Sequence, residues 1–344
     1  MKPLEQLLRP NILKLKPYSS ARDEYQGHDG IFLDANENPF NTPYNRYPDP
    51  HHRKLKALIG KIKKIKESSI FLGNGSDEAI DLLFRAFCQP GIDNVISIDP
   101  TYGMYQVAAE TNEVTVQKVL LSNNFKLNPE SILEVINKHT KIIWLCSPNN
   151  PTGNCFEKKD LIKILDSFDG IVVIDEAYID FAPGKSMLTQ LNEYPNLVIL
   201  QTFSKAWGMA GLRLGMAFAQ PSIISILNRI KYPYNLNILT QQTAIDLLKK
   251  NEALTQEWVS LLIKEREKMV NNLGSLSFVE HIYPSDANFL LVKTSDAKKI
   301  YNHLVKNKII IRDRSTVALC SGCLRITIGS PKENQELIEK LEKL

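Results

Sequence analysis

The segment Thr202-Phe203-Ser204-Lys205 places a lysine among hydroxyls, and Gly208, Gly211, Arg213 and Gly215 follow it. The apolar run just before it reads as a buried strand, so Lys205 stands at a strand end rather than on a solvated helix face. Most lysines are solvated surface charges. An amine at a strand end is instead suited to attack a carbonyl, and an arginine close behind it is suited to an anion. Asp175 closes a second apolar run, Gly170-Ile171-Val172-Val173-Ile174, and Tyr178 follows it by three residues. An aspartate there is often only a helix cap, yet the carboxyl edge of a parallel strand is where open α/β sheets bind ligands.

Two glycine- and asparagine-rich segments add to these. Gly73-Asn74-Gly75-Ser76-Asp77-Glu78 opens a helical pattern whose first-turn N–H groups suit a phosphate, although Ser76 is also simply a good N-cap. Ser147-Pro148-Asn149-Asn150-Pro151-Thr152-Gly153 follows another strand; it is either a tight turn or a means of presenting the Asn150 amide. A pyridoxal 5'-phosphate site needs a lysine amine, a carboxylate for the pyridine nitrogen, donors for the phosphate and a donor at the ring oxygen. Lys205, Asp175, the Ser76–Asp77 turn, and Asn150 with Tyr178 are the candidates in that order, and Tyr102 is a candidate to stack on the ring.

These residues need a scaffold that gathers strand ends. Apolar runs of strand length at 94–98, 141–146, 170–175 and 197–202 alternate with helical patterns at 77–87 and 158–168, while 53–66 carries Leu55, Leu58, Ile59, Ile62 and Ile65 on one face. That alternation predicts an α/β fold, a mainly parallel sheet between helices. Beyond 237 the pattern changes to helices at 240–248 and 252–273 and shorter strands at 288–292, 309–312 and 324–328, which predicts a smaller α+β C-terminal domain. The expected division is an N-terminal arm at 1–30, a large domain at 31–239 and a small one at 240–344.

Composition narrows the function classes. The chain has 344 residues, 43% of them hydrophobic, enough for two domains. A net charge of +4 gives no reason to expect nucleic acid or a membrane surface as partner. No apolar run approaches the roughly 20 residues of a membrane span, and no secretory signal pattern opens the chain, so a cytoplasmic protein is expected. Five cysteines argue against a disulfide framework; Cys320 and Cys323 lack the companions of a zinc site and read as structural, and no metal is expected.

Taken together, the motifs resemble fold-type I pyridoxal-phosphate aminotransferases, the lysine segment with Arg213 eight residues on being the most specific. The resemblance extends to the histidinol-phosphate aminotransferase family through Pro17-Tyr18-Ser19-Ser20-Ala21-Arg22, Asn36-Glu37-Asn38-Pro39, Arg46-Tyr47-Pro48, Pro100-Thr101-Tyr102-Gly103-Met104-Tyr105, Asp175-Glu176-Ala177-Tyr178 and Ser321-Gly322-Cys323-Leu324-Arg325-Ile326. It implies that Lys205 forms the Schiff base with the cofactor, Asp175 pairs with its ring nitrogen, Asn150 and Tyr178 bind its ring oxygen and Tyr102 stacks on the ring. Ser76, Asp77, Thr202, Ser204 and Arg213 would hold its phosphate, joined by Tyr47 from the second subunit of a homodimer. Tyr18, Arg312 and Arg325 fall where the family binds substrate.

The implied reaction moves an amino group between histidinol phosphate and 2-oxoglutarate, giving imidazole acetol phosphate and glutamate, in histidine biosynthesis. Two rivals share most of these residues: a lyase that decarboxylates threonine phosphate, and an aminotransferase for aromatic amino acids. A departure from the family pattern is Trp207-Gly208-Met209, where relatives often carry Phe and Leu.

Overall fold

The computed structural model describes residues 2–16 and 30–344. The larger sheet runs, edge to edge, β1 (Ile70–Asn74), β7 (Leu214–Phe218), β6 (Leu197–Thr202), β5 (Ile171–Asp175), β4 (Thr140–Cys146), β2 (Asn94–Asp99) and β3 (Thr115–Leu120). Strands β2 to β6 pair in parallel, while β7 runs against both β1 and β6. The expected α/β class and the four central strands are therefore present. Central strands such as β5 and β6 are buried at every position, which is why they read as continuous apolar runs. The edge strand β3, with Gln117 and Lys118 half-buried or exposed along it, carries no such signal.

Successive side chains leave a strand on opposite faces. Val172 and Ile174 of β5 enter one core while Ile171 and Val173 enter another, on the far face. The first core continues into the C-terminal part through Ala287, Phe289, Leu291, Cys320 and Cys323. There a smaller antiparallel sheet forms from β8 (Val279–Ile282), β9 (Phe289–Thr294), β10 (Arg312–Asp313) and β11 (Cys323–Thr327), in the order β10-β11-β9-β8. Its other face packs Leu290, Val292, Leu324 and Ile326 against Leu304, Leu337 and Ile338 of the covering helices.

Two local expectations need correction. The helices expected at 240–248 and 252–273 are one continuous helix, Ile238–Gly274, begun where the Asn237 side chain accepts a hydrogen bond from the Thr240 amide. The polar stretch Lys249-Lys250-Asn251 contains no breaker, and it spans the gap between the two units: Ala244 and Leu248 join the first core, Met269 and Leu273 the C-terminal one. The strand expected at 309–312 shrinks to Arg312–Asp313, because Ile310 points to solvent and only Ile311 is buried.

The described part of the N-terminal arm forms two short helices, Leu4–Leu7 and Pro10–Leu13. Leu7, Leu8 and Ile12 dock on the far-face core, and the Arg9 amide donates to the Ala86 carbonyl, so this part of the arm lies on its own subunit.

Candidate active site

The site is built where the parallel strands end. Gly75, Ser76, Asp77, Tyr102, Cys146, Asp175, Tyr178, Thr202, Ser204, Lys205 and Arg213 line one pocket. Nine of these are residues that the sequence nominated, eight from the segments that follow or end β1, β2, β5 and β6 and the ninth, Arg213, from just before the start of β7. At its floor Asp175, the last residue of β5, is buried; its Oδ2 accepts a 2.7 Å hydrogen bond from the Tyr105 hydroxyl and its Oδ1 accepts from the Ala177 amide at 3.0 Å. Burial pushes its pKa up to about 6, and these two donors work against that rise. A cation against this carboxylate would favour the charged form.

One wall of the pocket is the start of the helix Gly75–Phe87. The Gly75 amide donates to the Arg213 carbonyl at 2.6 Å, while those of Ser76 and Asp77 belong to the first turn and have no partner within the helix. The approach requires glycine on both sides. A Cβ on Gly215 of β7 would lie 2.1 Å from the Ser76 nitrogen, and one on Gly75, whose φ is +71°, would lie 2.8 Å from the Arg213 guanidinium. The Asp77 carboxylate accepts from the Tyr102 hydroxyl at 3.2 Å and sits 3.5 Å from Arg213. On the opposite side the Ser204 amide donates to the Thr202 hydroxyl at 3.1 Å, which fixes the turn leading to Lys205. Amides at a helix start, two hydroxyls and an exposed arginine form a cradle sized and charged for a phosphate.

Lys205 reaches over Tyr178, with Nζ 5.5 Å from the ring centroid. Loss of hydration among the pocket walls, and then Arg325, lower its pKa, which raises the fraction of neutral, nucleophilic amine. Burial raises the Tyr178 hydroxyl, so it stays protonated. Asn150 links this pocket to the next: its Nδ2 donates to the Tyr178 hydroxyl at 3.4 Å, and its Oδ1 accepts from the Arg325 guanidinium at 2.5 Å.

The adjoining pocket shares Tyr102, Tyr178 and Lys205 with the first and is walled by Asn150, Arg312, Arg314 and Arg325. Arg312 of β10 lies directly opposite Arg325 of β11 in the antiparallel register, so the small sheet delivers both to one place. Arg325 also lies over the Phe289 ring, 5.4 Å from its centroid. Tyr47 is 50% exposed, stacks on Tyr234 at 4.4 Å, and is not among the residues lining the pocket of its own chain. Tyr18 lies outside the described residues. Trp207 is buried edge-on against Phe203 behind the lysine turn, and its indole nitrogen has no hydrogen-bond partner among the described residues.

Two residues of this region escaped the sequence reading. Tyr105 lies in the first turn of the helix Met104–Thr111 with its ring edge-on to Tyr102, and its place in the motif that already nominated Tyr102 was the available signal. Arg314 follows Arg312 at the two-residue spacing of a strand, which would have placed the two on one side.

The model of aminotransferase classes I and II matches residues 33–341. A histidinol-phosphate aminotransferase of Parabacteroides distasonis is 56% identical over 344 residues, covering 100% of this chain and 99% of that one. The chain belongs to the histidinol-phosphate aminotransferase family. Among solved structures, the histidinol-phosphate aminotransferase of Clostridium acetobutylicum superposes on this aminotransferase with a TM-score of 0.80 at 27% identity, covering 87% of this chain and 90% of that one. The L-threonine-O-3-phosphate decarboxylase of Porphyromonas gingivalis reaches 0.72 at 25% identity, covering 87% and 93%. Family membership implies pyridoxal phosphate, and the buried carboxylate, the glycine-lined cradle and the lysine of this aminotransferase fit that cofactor. Among the described residues no helix is long and apolar enough to cross a membrane.

Proposed function

We propose that this chain transfers the amino group between histidinol phosphate and 2-oxoglutarate, using pyridoxal 5'-phosphate held by Lys205. The observation that carries this reading is the contact from Arg325 to Asn150, which sets an anion-binding guanidinium in the pocket that both share with Lys205.

Pyridoxal phosphate supplies an aldehyde and an electron-withdrawing ring, which stabilises the charge left when the amine-bearing carbon loses its proton. Asp175 would pair with the ring nitrogen, Asn150 and Tyr178 would bind the ring oxygen, and Tyr102 would cover the ring. The phosphate would rest on the Ser76 and Asp77 amides, Thr202, Ser204 and Arg213. Once displaced from the cofactor by the substrate amine, Lys205, its pKa lowered, would take the proton from the amine-bearing carbon at Nζ and give it up again as general acid to the cofactor carbon to which the lysine had been bound. Arg312 and Arg325 receive the substrate's anionic group. Histidinol phosphate carries its phosphomethyl group on the carbon that bears the amine, so one pair of guanidinium forks serves that phosphate and, in the second half-reaction, the α-carboxylate of glutamate. Tyr18 would add a hydroxyl beside them. The chain would act as a homodimer in which Tyr47 reaches the partner's cofactor phosphate.

The test is purified protein supplied with histidinol phosphate, with and without 2-oxoglutarate. Glutamate should form, and only when the keto acid is present. Carbon dioxide from threonine phosphate without any keto acid would replace this reading with a lyase, and turnover of aromatic amino acids but not of histidinol phosphate would replace it with the other rival.

A further inference from the structure

We propose that Arg314 is a specificity-determining residue: it adds a third guanidinium to the anion-binding wall and favours a doubly charged phosphate ester over a carboxylate. This rests on the function proposed above.

The main chain of Arg314 is fixed on both sides of the residue. Its amide donates to the Cys323 carbonyl at 2.8 Å, and its own carbonyl accepts from the Val317 amide at 2.9 Å. That anchorage on β11 carries the side chain back to the pocket already walled by Arg312 and Arg325. Nε of Arg314 is buried and has no hydrogen-bond partner among the described residues. Nor do the described residues offer a carboxylate to any of the three arginines; among the described residues the only side-chain hydrogen bond to one of them is that of the neutral Asn150 with Arg325, whose face also rests on Phe289.

Three cations gathered on one wall, Arg314 and Arg325 half-buried and Arg312 exposed, repel one another. Like charges directly opposite in a sheet are unfavourable, and partial burial deepens the penalty because less water screens it. Burial and Arg314 together lower the pKa of Arg325, and burial and Arg312 lower that of Arg314, so the three are felt as one cluster. An anion seated between its members would relieve that repulsion.

The charge of that anion separates the two amino donors. A carboxylate carries one negative charge and two oxygens, which two guanidinium forks already saturate. A phosphate monoester at neutral pH carries about 1.5 to 2 negative charges on three free oxygens, and so retains an oxygen and much of a charge for a third fork. Arg314 would thus act in the phosphate half-reaction and contribute little to the carboxylate one.

The experiment follows each half-reaction separately, by the absorbance of the bound cofactor in single turnovers, for the parent protein, Arg314→Gln and Arg314→Lys. With histidinol phosphate as donor, Arg314→Gln should lose about 10- to 100-fold in kcat/KM, mostly through KM, the range for one hydrogen bond to a charged group. With glutamate the loss should stay within a few-fold, and Arg314→Lys should recover most of the phosphate-specific loss. Equal losses on the two donors, or an unchanged preference between them, would overturn the proposal. Should Arg314→Gln fail to fold, the comparison rests on Arg314→Lys, where a loss confined to the phosphate donor is expected and an equal loss on both is fatal. A parent protein unable to use histidinol phosphate would instead remove the function on which this inference stands.

Discussion

The Tyr105 hydroxyl donates a 2.7 Å hydrogen bond to Oδ2 of Asp175, and both side chains are buried. The helix Met104–Thr111 thereby holds one carboxylate oxygen while the Ala177 amide holds the other, which fixes the carboxylate plane at the pocket floor. Tyr105 also stacks on Trp144 of β4, so the donor itself has little freedom. A hydrogen bond to a charged group contributes about 1.5–3 kcal/mol. Tyr105→Phe keeps the packing and removes only the donor, and should weaken cofactor binding by about tenfold or more. Equilibrium titration with pyridoxal phosphate measures this, and an unchanged affinity would show that Tyr105 merely packs.

The acidity of Asp175 gives a pH signature in the cofactor-free protein. Burial raises this group to about 6 in the folded chain, so between pH about 4 and 6 the folded state holds a proton that the unfolded state has released. Stability from this group therefore falls as pH rises through that window, and the penalty is fully present above it. Glu176, raised to about 7 by burial, slopes the same way. Asp175→Asn removes the first of these contributions. Its stability relative to the parent should improve by on the order of 1–2 kcal/mol between pH 4 and 6.5, read from urea denaturation. A difference independent of pH would mean that Asp175 does not titrate in this window.

Lys205 stands at the pocket and belongs to no hydrophobic core. Lys205→Ala should abolish turnover while leaving far-UV circular dichroism and the thermal transition close to those of the parent. Normal transamination by that variant would remove Lys205 from the chemistry.

Tyr47 does not line the pocket of its own chain, so sharing between subunits makes a specific forecast. Tyr47→Ala and Lys205→Ala, each inactive alone, should regain part of the parent activity when mixed under conditions of subunit exchange, because a hybrid dimer contains one intact site. Hybrids demonstrated by mass spectrometry yet devoid of activity would argue against a shared site.

Arg325 holds the Asn150 oxygen in this geometry and, in the function proposed above, also the substrate anion. Arg325→Ala should cost about 2–4 kcal/mol in kcat/KM with histidinol phosphate. With histidinol, which has no phosphate, only the smaller part that comes from releasing Asn150 should remain. Equal fold losses on the two substrates would show that Arg325 acts through Asn150 alone.

The sequence by itself determined the fold class, four central strands and the identity of most pocket residues. Strands buried on both faces are mostly apolar, and Asp175 at the end of β5 and Lys205 just after β6 stand out because their chemistry breaks that run. The full set of motifs carried the family. What the sequence left open depends on which distant segments become neighbours. Nothing local in Tyr105 tells that it meets Asp175, since that contact follows from how the helix after β2 lies over the strand ends. The continuity of Ile238–Gly274 was hidden because a polar stretch bridging two cores looks, residue by residue, like an interruption. Arg312, Arg314 and Arg325 form one wall because a two-residue strand pairs in one register with β11, and register is decided by packing across the sheet rather than by the periodicity of either strand.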